Sequence, residues 1–470
     1  MLSFVRSRHA MALLAATSLL AGAQAATAQD AFTTLNRTSA AQISFSGPDR
    51  GTPIQAGSTV NVSGDGFQPG QQVTLMVGTT PLGTPLTADG EGKITGTVTV
   101  PANAVSGNHP VVAVTSAPYT ALVADLKVSP VVPLSGQDRF AITSGIAARG
   151  IYQTAYSAAA DAIFVTTSVG RPPVKQSELV KMDPDTLAVL ARVTPATAPA
   201  SAPRPGQPPR EPGLYAVYGV GVDDAAGNVW VTNTRQDTIS VYKQSDLSLV
   251  KQFAPDSVPH PRDVRVHAGK AYVAATNEPF VAVFDTATME PLPPIQISSS
   301  KRGETFGGAS LSLDATNNRL YVVSLSSSEV AVIDTTTGQV GKVFPLPGAR
   351  GAIGVSHDPA TGRIYVAAQG TDNLLVLDGE TGAVIADTPV GAGALNVAFD
   401  PATNQAYVSS RGAGTVTVTD AAGAIVANLG PAPMANHVAL GEPGVVYASV
   451  KSAQSTGEDG DTVMRIAPKQ

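Results

Sequence analysis

Val229-Trp230-Val231-Thr232-Asn233 is a short run in which β-branched residues flank one aromatic. Such residues pack well on a pleated surface, so the run predicts a strand. The same pattern recurs along the chain. Ile163-Phe164-Val165-Thr166 precedes it. Ala271-Tyr272-Val273-Ala274, Leu320-Tyr321-Val322-Val323, Ile364-Tyr365-Val366-Ala367, Ala406-Tyr407-Val408-Ser409 and Val446-Tyr447-Ala448-Ser449 follow. The aromatics of these seven copies are 66, 42, 49, 44, 42 and 40 residues apart. Strand-like repeats at this period predict the blades of a propeller.

Each copy has the same companions. About ten residues later comes an alternating strand ending in Asp, as in Val281-Ala282-Val283-Phe284-Asp285 and Leu374 to Asp378. Alternation at period two marks a half-buried strand. Turns such as Glu380-Thr381-Gly382 and Asp400-Pro401-Ala402-Thr403-Asn404 separate the strands, and a further strand such as Leu395 to Phe399 lies upstream. Asp binds local backbone and Gly tolerates positive φ, which suits both to turns. The unit is a four-stranded antiparallel meander. After Val463-Met464-Arg465-Ile466 no room remains for a fourth strand, so Phe140-Ala141-Ile142-Thr143 is expected to complete the last unit and remove an open edge.

The aromatic-Val-Thr-Asn fingerprint at Trp230 to Asn233, with Val-x-Val-x-Asp and Asp-x-x-Thr-Gly, resembles the YVTN-repeat (YncE-like) β-propeller family over about residues 138–470. The resemblance implies an all-β fold and a seven-bladed propeller. It also implies a possible interaction with single-stranded DNA. Lys243 stands where other units carry Asp, and the first unit is irregular.

Ahead of the propeller, residues 41–130 read as short strands: Gln42 to Ser46, Thr59 to Ser63, Gln72 to Val77, Lys93 to Val100, Pro110 to Thr115 and Ala121 to Val128. Their number and length predict a small Ig-like β-sandwich, and Val62-Ser63-Gly64-x-Gly66-Phe67-x-Pro69-Gly70 resembles bacterial secreted Ig-like modules. Residues 29–40 read as a linker. At the start, Arg6 and Arg8 precede an apolar run from Met11 to Ala23 and a small-residue site ending at Ala28. This order predicts a signal peptide over 1–28 and a periplasmic or secreted protein. The apolar run is too short to span a bilayer.

The chain of 470 residues has 30 basic and 36 acidic side chains. Removing Arg6 and Arg8 leaves a net charge of −8, which disfavours general nucleic-acid binding. The absence of cysteine excludes disulfides, zinc–thiolate sites and cysteine nucleophiles. Gly391-Ala392-Gly393-Ala394 and Gly412-Ala413-Gly414 lie between strands without a following helix, so they are not phosphate loops. No cofactor motif is found, and a monomer is expected.

Candidate site residues come from sorting charges by loop. Loops between units, and loops joining second to third strands, share one face of a propeller. That face receives Arg171, Arg235, Arg262, Lys301, Arg302, Arg350, Arg411 and Lys451, whereas the turn aspartates fall on the other. Thr194 to Pro212, with seven prolines, is expected to form an extended flap on the basic face. Arginine suits a bidentate grip on carboxylate or phosphate. His260 and His437 are both expected just before an innermost strand, near the channel, whereas His357 is expected at the surface in a repeat turn. The binding set is therefore Arg171, Arg235, His260, Arg262, Arg302, Arg350, Arg411 and His437, with Tyr215 and Tyr218 as nearby stacking candidates. The expected role is non-catalytic binding of an anionic small molecule or a protein partner. Two alternatives stand beside it. One is a hydrolase or lyase with a metal or base among His260, Asp263, Asn396 and His437; the other is a surface-interaction protein.

Overall fold

The computed structural model describes residues 40–116, 118–200, 211–451 and 460–469. The signal-peptide expectation, nearly all of the linker and the centre of the proline-rich insertion lie outside the described residues. Among them no helix is long and apolar enough to cross a membrane. The chain divides into two compact units. The described part of the first comprises 40–43, Ser63–Gly96 and Val111–Ala124; the second comprises Ser44–Val62, Thr97–Pro110 and the chain from Asp125 onward.

The early strands follow the alternation closely. Gln42–Ser46, Thr59–Asp65 and Ile94–Thr99 form one sheet, and Gln72–Val77 pairs with Gly107–Thr115, which pairs with Thr120–Val128. In Gln72–Val77 the side chains of Val73 and Leu75 are buried while Gln72 is exposed and Thr74 half-buried, the period-two pattern of a strand with one covered face.

The chain beyond Phe140 is a series of repeated meanders. Among the described residues it forms seven four-stranded antiparallel sheets. The innermost strands are Ile151–Ser157, Val220–Asp223, Pro261–His267, Gly308–Asp314, Ala352–His357, Ala394–Asp400 and Ala435–Leu440. They neighbour one another in chain order, and the seventh lies beside the first, so the series closes into a ring. The last sheet has the order Ala435–Leu440, Val446–Val450, Thr462–Pro468, Phe140–Ile146. Phe140 to Ile146 thus closes the seventh sheet, in register from Phe140 opposite Pro468 to Ile146 opposite Thr462.

The aromatics that mark the repeats are its core. Phe164, Trp230, Tyr272, Tyr321, Tyr365, Tyr407 and Tyr447 are each at most 1% exposed, packed between neighbouring sheets. The outermost strands, such as Val384–Pro389, alternate between exposed and half-buried residues. The aspartates ending the third strands have a structural task. Asp378 Oδ1 accepts from the N–H groups of Glu380 (3.0 Å) and Thr381 (2.8 Å), and Asp183, Asp285 and Asp334 repeat the pattern. These backbone donors hold the carboxyl groups below the usual carboxylate range.

Candidate functional site

Six of the seven innermost strands slip in register just after they begin, for example between Ile151 and Thr154 and between Pro261 and Val264. Such bulges re-aim side chains at a rim. The pairing gives a common frame. Thr154, Val220, Val264, Leu311, Val355, Val397 and Val438 each lie opposite the equivalent residue of the second strand. Two residues before them is a rim position at the start of the strand. It is occupied in turn by Tyr152, Tyr218, Arg262, Ala309, Ile353, Leu395 and Asn436. One arc of the rim, from the seventh sheet through the third, is polar and aromatic; the other is apolar.

Around the polar arc, cations collect on two tyrosines. The rings of Tyr152 and Tyr218 meet edge to face, 4.8 Å apart. Arg262 Nη1 donates to the Tyr152 hydroxyl (3.4 Å), and Arg235 Nε donates to the Tyr218 hydroxyl (3.2 Å). Lys451 Nζ lies 5.3 Å from the Tyr152 ring centre and Arg235 lies 5.8 Å from that of Tyr218, both within cation–π range. Burial pulls the Lys451 ammonium down to about 8; Arg411 lowers it further, and Asp461 opposes. His260, at a φ of 39°, donates its N–H to Asp237 Oδ1 (2.7 Å). Its imidazole lies below the usual range, first through desolvation, with Arg235 and Arg262 adding to this and Asp237 opposing. Among the described residues Arg235, Arg262, Arg411 and Lys451 have no carboxylate within ion-pair distance.

Other candidates stand apart from this group. Arg350 pairs with Asp125, and Lys301 donates to the carbonyl oxygens of Ser327 and Ser328. Arg171 and Arg302 are exposed loop residues with no ion pair among the described residues. Tyr215 and Tyr218 are 6% and 7% exposed, so neither is an open stacking platform. The proline-rich insertion is pinned where it enters and leaves, by a bridge between Thr197 and Leu214.

One position deeper, the ring uses polar side chains to tie strand to strand. Gln153 Oε1 accepts from Val220 N–H (3.0 Å), Asp263 Oδ2 from Leu311 N–H (2.9 Å), Asn396 Oδ1 from Val438 N–H (3.0 Å) and His437 Nδ1 from Thr154 N–H (3.4 Å). Asp263 Oδ1 also accepts from its neighbour Val264 N–H and pairs with Arg265 at 3.1 Å. Three of the four residues expected as catalytic material are therefore joints of the ring. His437 is 3% exposed, and burial, followed by Arg265 and Arg262, takes its pKa to about 3, so it is neutral at ordinary pH. Inside the ring a cavity of about 450 Å³ is lined by residues of all seven innermost strands, including Thr154, Gly221, Arg265, Ser312, Ser356, Asn396 and His437.

His357 departs from the surface position expected of it. Its side chain is only 12% exposed, stacks on Tyr321 with ring centres 5.1 Å apart, and lies 2.9 Å from Ser312 Oγ through Nδ1. His357 ends the strand Ala352–His357, just before the repeat turn, and that strand position sets its ring against Tyr321.

No protein-family model and no curated protein matches the chain. Solved structures do. Hydrazine synthase of Kuenenia stuttgartiensis aligns with a TM-score of 0.55 at 16% identity, covering 68% of this chain and 96% of that one. Virginiamycin B lyase of Staphylococcus aureus aligns at 0.51 and 12% identity, covering 70% and 100%. The WD40 repeats of RRP9 align at 0.52 and 12% identity, covering 72% and 99%. The ring is a β-propeller. At these identities the likeness concerns the fold alone, and the propeller residues carry the rest.

Tyr152 and Lys451 complete the polar arc, yet the sequence-derived binding set omits both. Tyr152 lies in the irregular first unit, where the repeat pattern is weakest. Lys451 belongs to the basic loops, but nothing in its spacing marks it out from Lys301.

Proposed function

We propose that this protein is an exported binding protein with a seven-bladed propeller, and that the polar arc of its rim is a non-catalytic site that holds a compact anion such as a phosphate or carboxylate. The observation that carries the reading is the convergence of Arg235, Arg262 and Lys451 on the Tyr152–Tyr218 pair, with no carboxylate partner for them among the described residues. Unpaired cations near low-dielectric walls focus field and attract a counter-charge. Arginine adds a planar fork suited to oxyanions. Within this reading the Ig-like module is a spacer or docking unit.

The distribution of the remaining cations favours a compact ligand over a strand of nucleic acid. A polyanion needs a continuous basic track, whereas Arg350 and Lys301 are engaged by Asp125 and by carbonyls. The metal-dependent alternative draws less support. Among the described residues no three His, Asp or Glu side chains gather as a metal site, and Asp263, Asn396 and His437 bond to backbone.

The test is calorimetric titration of the mature protein with inorganic phosphate. One saturable site is expected, and Arg262→Ala should weaken it roughly 10–100-fold, the value of one or two charge-assisted hydrogen bonds. Undiminished binding in Arg262→Ala, or no saturable binding at all, would discard the reading.

A further inference from the structure

The cavity carries a second set of chemistry-bearing groups, deeper along the strands than the cationic rim. Ser312, Asp314 and His357 all line it. Ser312 Oγ and His357 Nδ1 are 2.9 Å apart, and His357 Nε2 lies 3.9 Å from Asp314 Oδ2. Asp314 is held in turn by the backbone N–H of Asn317 (3.0 Å) and its side-chain amide (2.7 Å). A hydroxyl next to an imidazole, with a carboxylate on the imidazole's far nitrogen, is the arrangement that activates a serine. Such contacts are often looser without substrate.

Equivalent residues of the other sheets show that the fold does not require this set. Ser356 occupies the same strand position as Ser312 in the next sheet, and its Oγ accepts from Phe399 N–H (2.9 Å), a structural bond. The positions equivalent to His357 hold Tyr156, Val222, Val266, Leu313, Phe399 and Leu440. None of these is an imidazole. Arg265, equivalent to Ser312 on the preceding strand, puts a cation on the same cavity wall.

We infer that Ser312 is a nucleophile with His357 as its general base and Asp314 as a positioning residue, acting on a small carboxylic ester admitted to the cavity. With hydrogen on Nε2, facing Asp314, His357 Nδ1 is free to accept. Burial holds the ring below the usual histidine range, with Asp314 and Asp358 opposing, which favours the neutral form that can accept a proton. Ser312 Oγ adds to the ester carbonyl carbon and its proton passes to His357 Nδ1. The bond to the alcohol oxygen breaks and the alcohol leaves with that proton. A water then adds to the acyl-serine, giving its proton to His357. Release of the carboxylic acid returns that proton to Ser312 Oγ.

The experiment is active-site labelling of the mature protein with diisopropyl fluorophosphate, read by peptide mass spectrometry. The expected result is modification of Ser312, slowed about 100-fold or more in His357→Ala, the usual scale for loss of a general base. Asp314→Asn should slow labelling, and Asp314→Glu should restore part of the rate. Wild-type protein that leaves Ser312 unmodified while folded would overturn the inference, as would labelling of His357→Ala at the wild-type rate. Arg262 and Lys451 take no part, so this outcome and that of the phosphate titration are independent.

Discussion

The two arcs of the propeller rim share one backbone and differ in what they carry. Asn436, Tyr152, Tyr218 and Arg262 line the arc from the seventh sheet to the third, and Ala309, Ile353 and Leu395 line the arc from the fourth to the sixth. Both arcs start equivalent strands, and the aromatics behind both are buried to the same degree. The packing that builds a sheet therefore leaves the rim position open. On one side that freedom holds small or aliphatic side chains that seal against neighbours. On the other it holds hydroxyls and cations. A repeat fold can thus place function at a position its folding pattern does not constrain.

The comparison can be broken one layer below the rim. Asp263 accepts from two backbone N–H groups and pairs with Arg265 while itself 1% exposed. Asp263→Ala leaves the Leu311 N–H without its acceptor and the Arg265 guanidinium without its carboxylate. Denaturant unfolding should show a loss of roughly 3–5 kcal/mol, the usual result of removing one member of a buried pair. Asn396→Ala removes a single neutral acceptor and should cost about 1–3 kcal/mol. Equal losses at the two sites would mean that the charged joint has no special weight.

A smaller effect sharpens the polar arc itself. Lys451 loses its proton near pH 8, far below an ordinary lysine. A bound anion favours the ammonium and raises that value, so the complex holds more protons than the free protein above pH 8. Phosphate affinity should fall as pH rises through about 8, by at most about tenfold per pH unit. Lys451→Arg should flatten this decline. A pH-independent affinity in the wild type would remove Lys451 from the site. The least effect is expected at Arg350, whose exposed pairing with Asp125 is worth at most about 1 kcal/mol. Arg350→Ala should leave phosphate binding unchanged within twofold.

Much of the ring was legible because its folding constraints repeat. The aromatic strands from Ile163 to Ser449 and the Asp turns answer to a pattern that recurs every 40 to 66 residues, and the closing strand from Phe140 answers to the fourth strand missing from the last unit. The site was legible only to the level of a face. Loop position assigned Arg235, Arg262 and Arg411 to one side, but it could not show that Arg350 would meet Asp125, more than two hundred positions away. Nor could it show that Asp263, Asn396 and His437 would serve as joints between strands. His357 illustrates the same limit: its neighbours in sequence make a turn, whereas its neighbours in space are Ser312 and Tyr321. Side-chain partners across the ring are set by how neighbouring sheets pack, which no single repeat encodes.

Two charge-matched double variants provide the most direct test. Arg262→Ala with Lys451→Ala removes two cations from the polar arc, and Arg302→Ala with Arg350→Ala removes two from loops outside it. Long-range electrostatics change by the same net charge in both. In parallel phosphate titrations at one ionic strength, the first pair should lose at least tenfold in affinity and the second less than twofold. Equal losses in the two variants would contradict the claim that the arc, and not the overall charge of the face, holds the ligand.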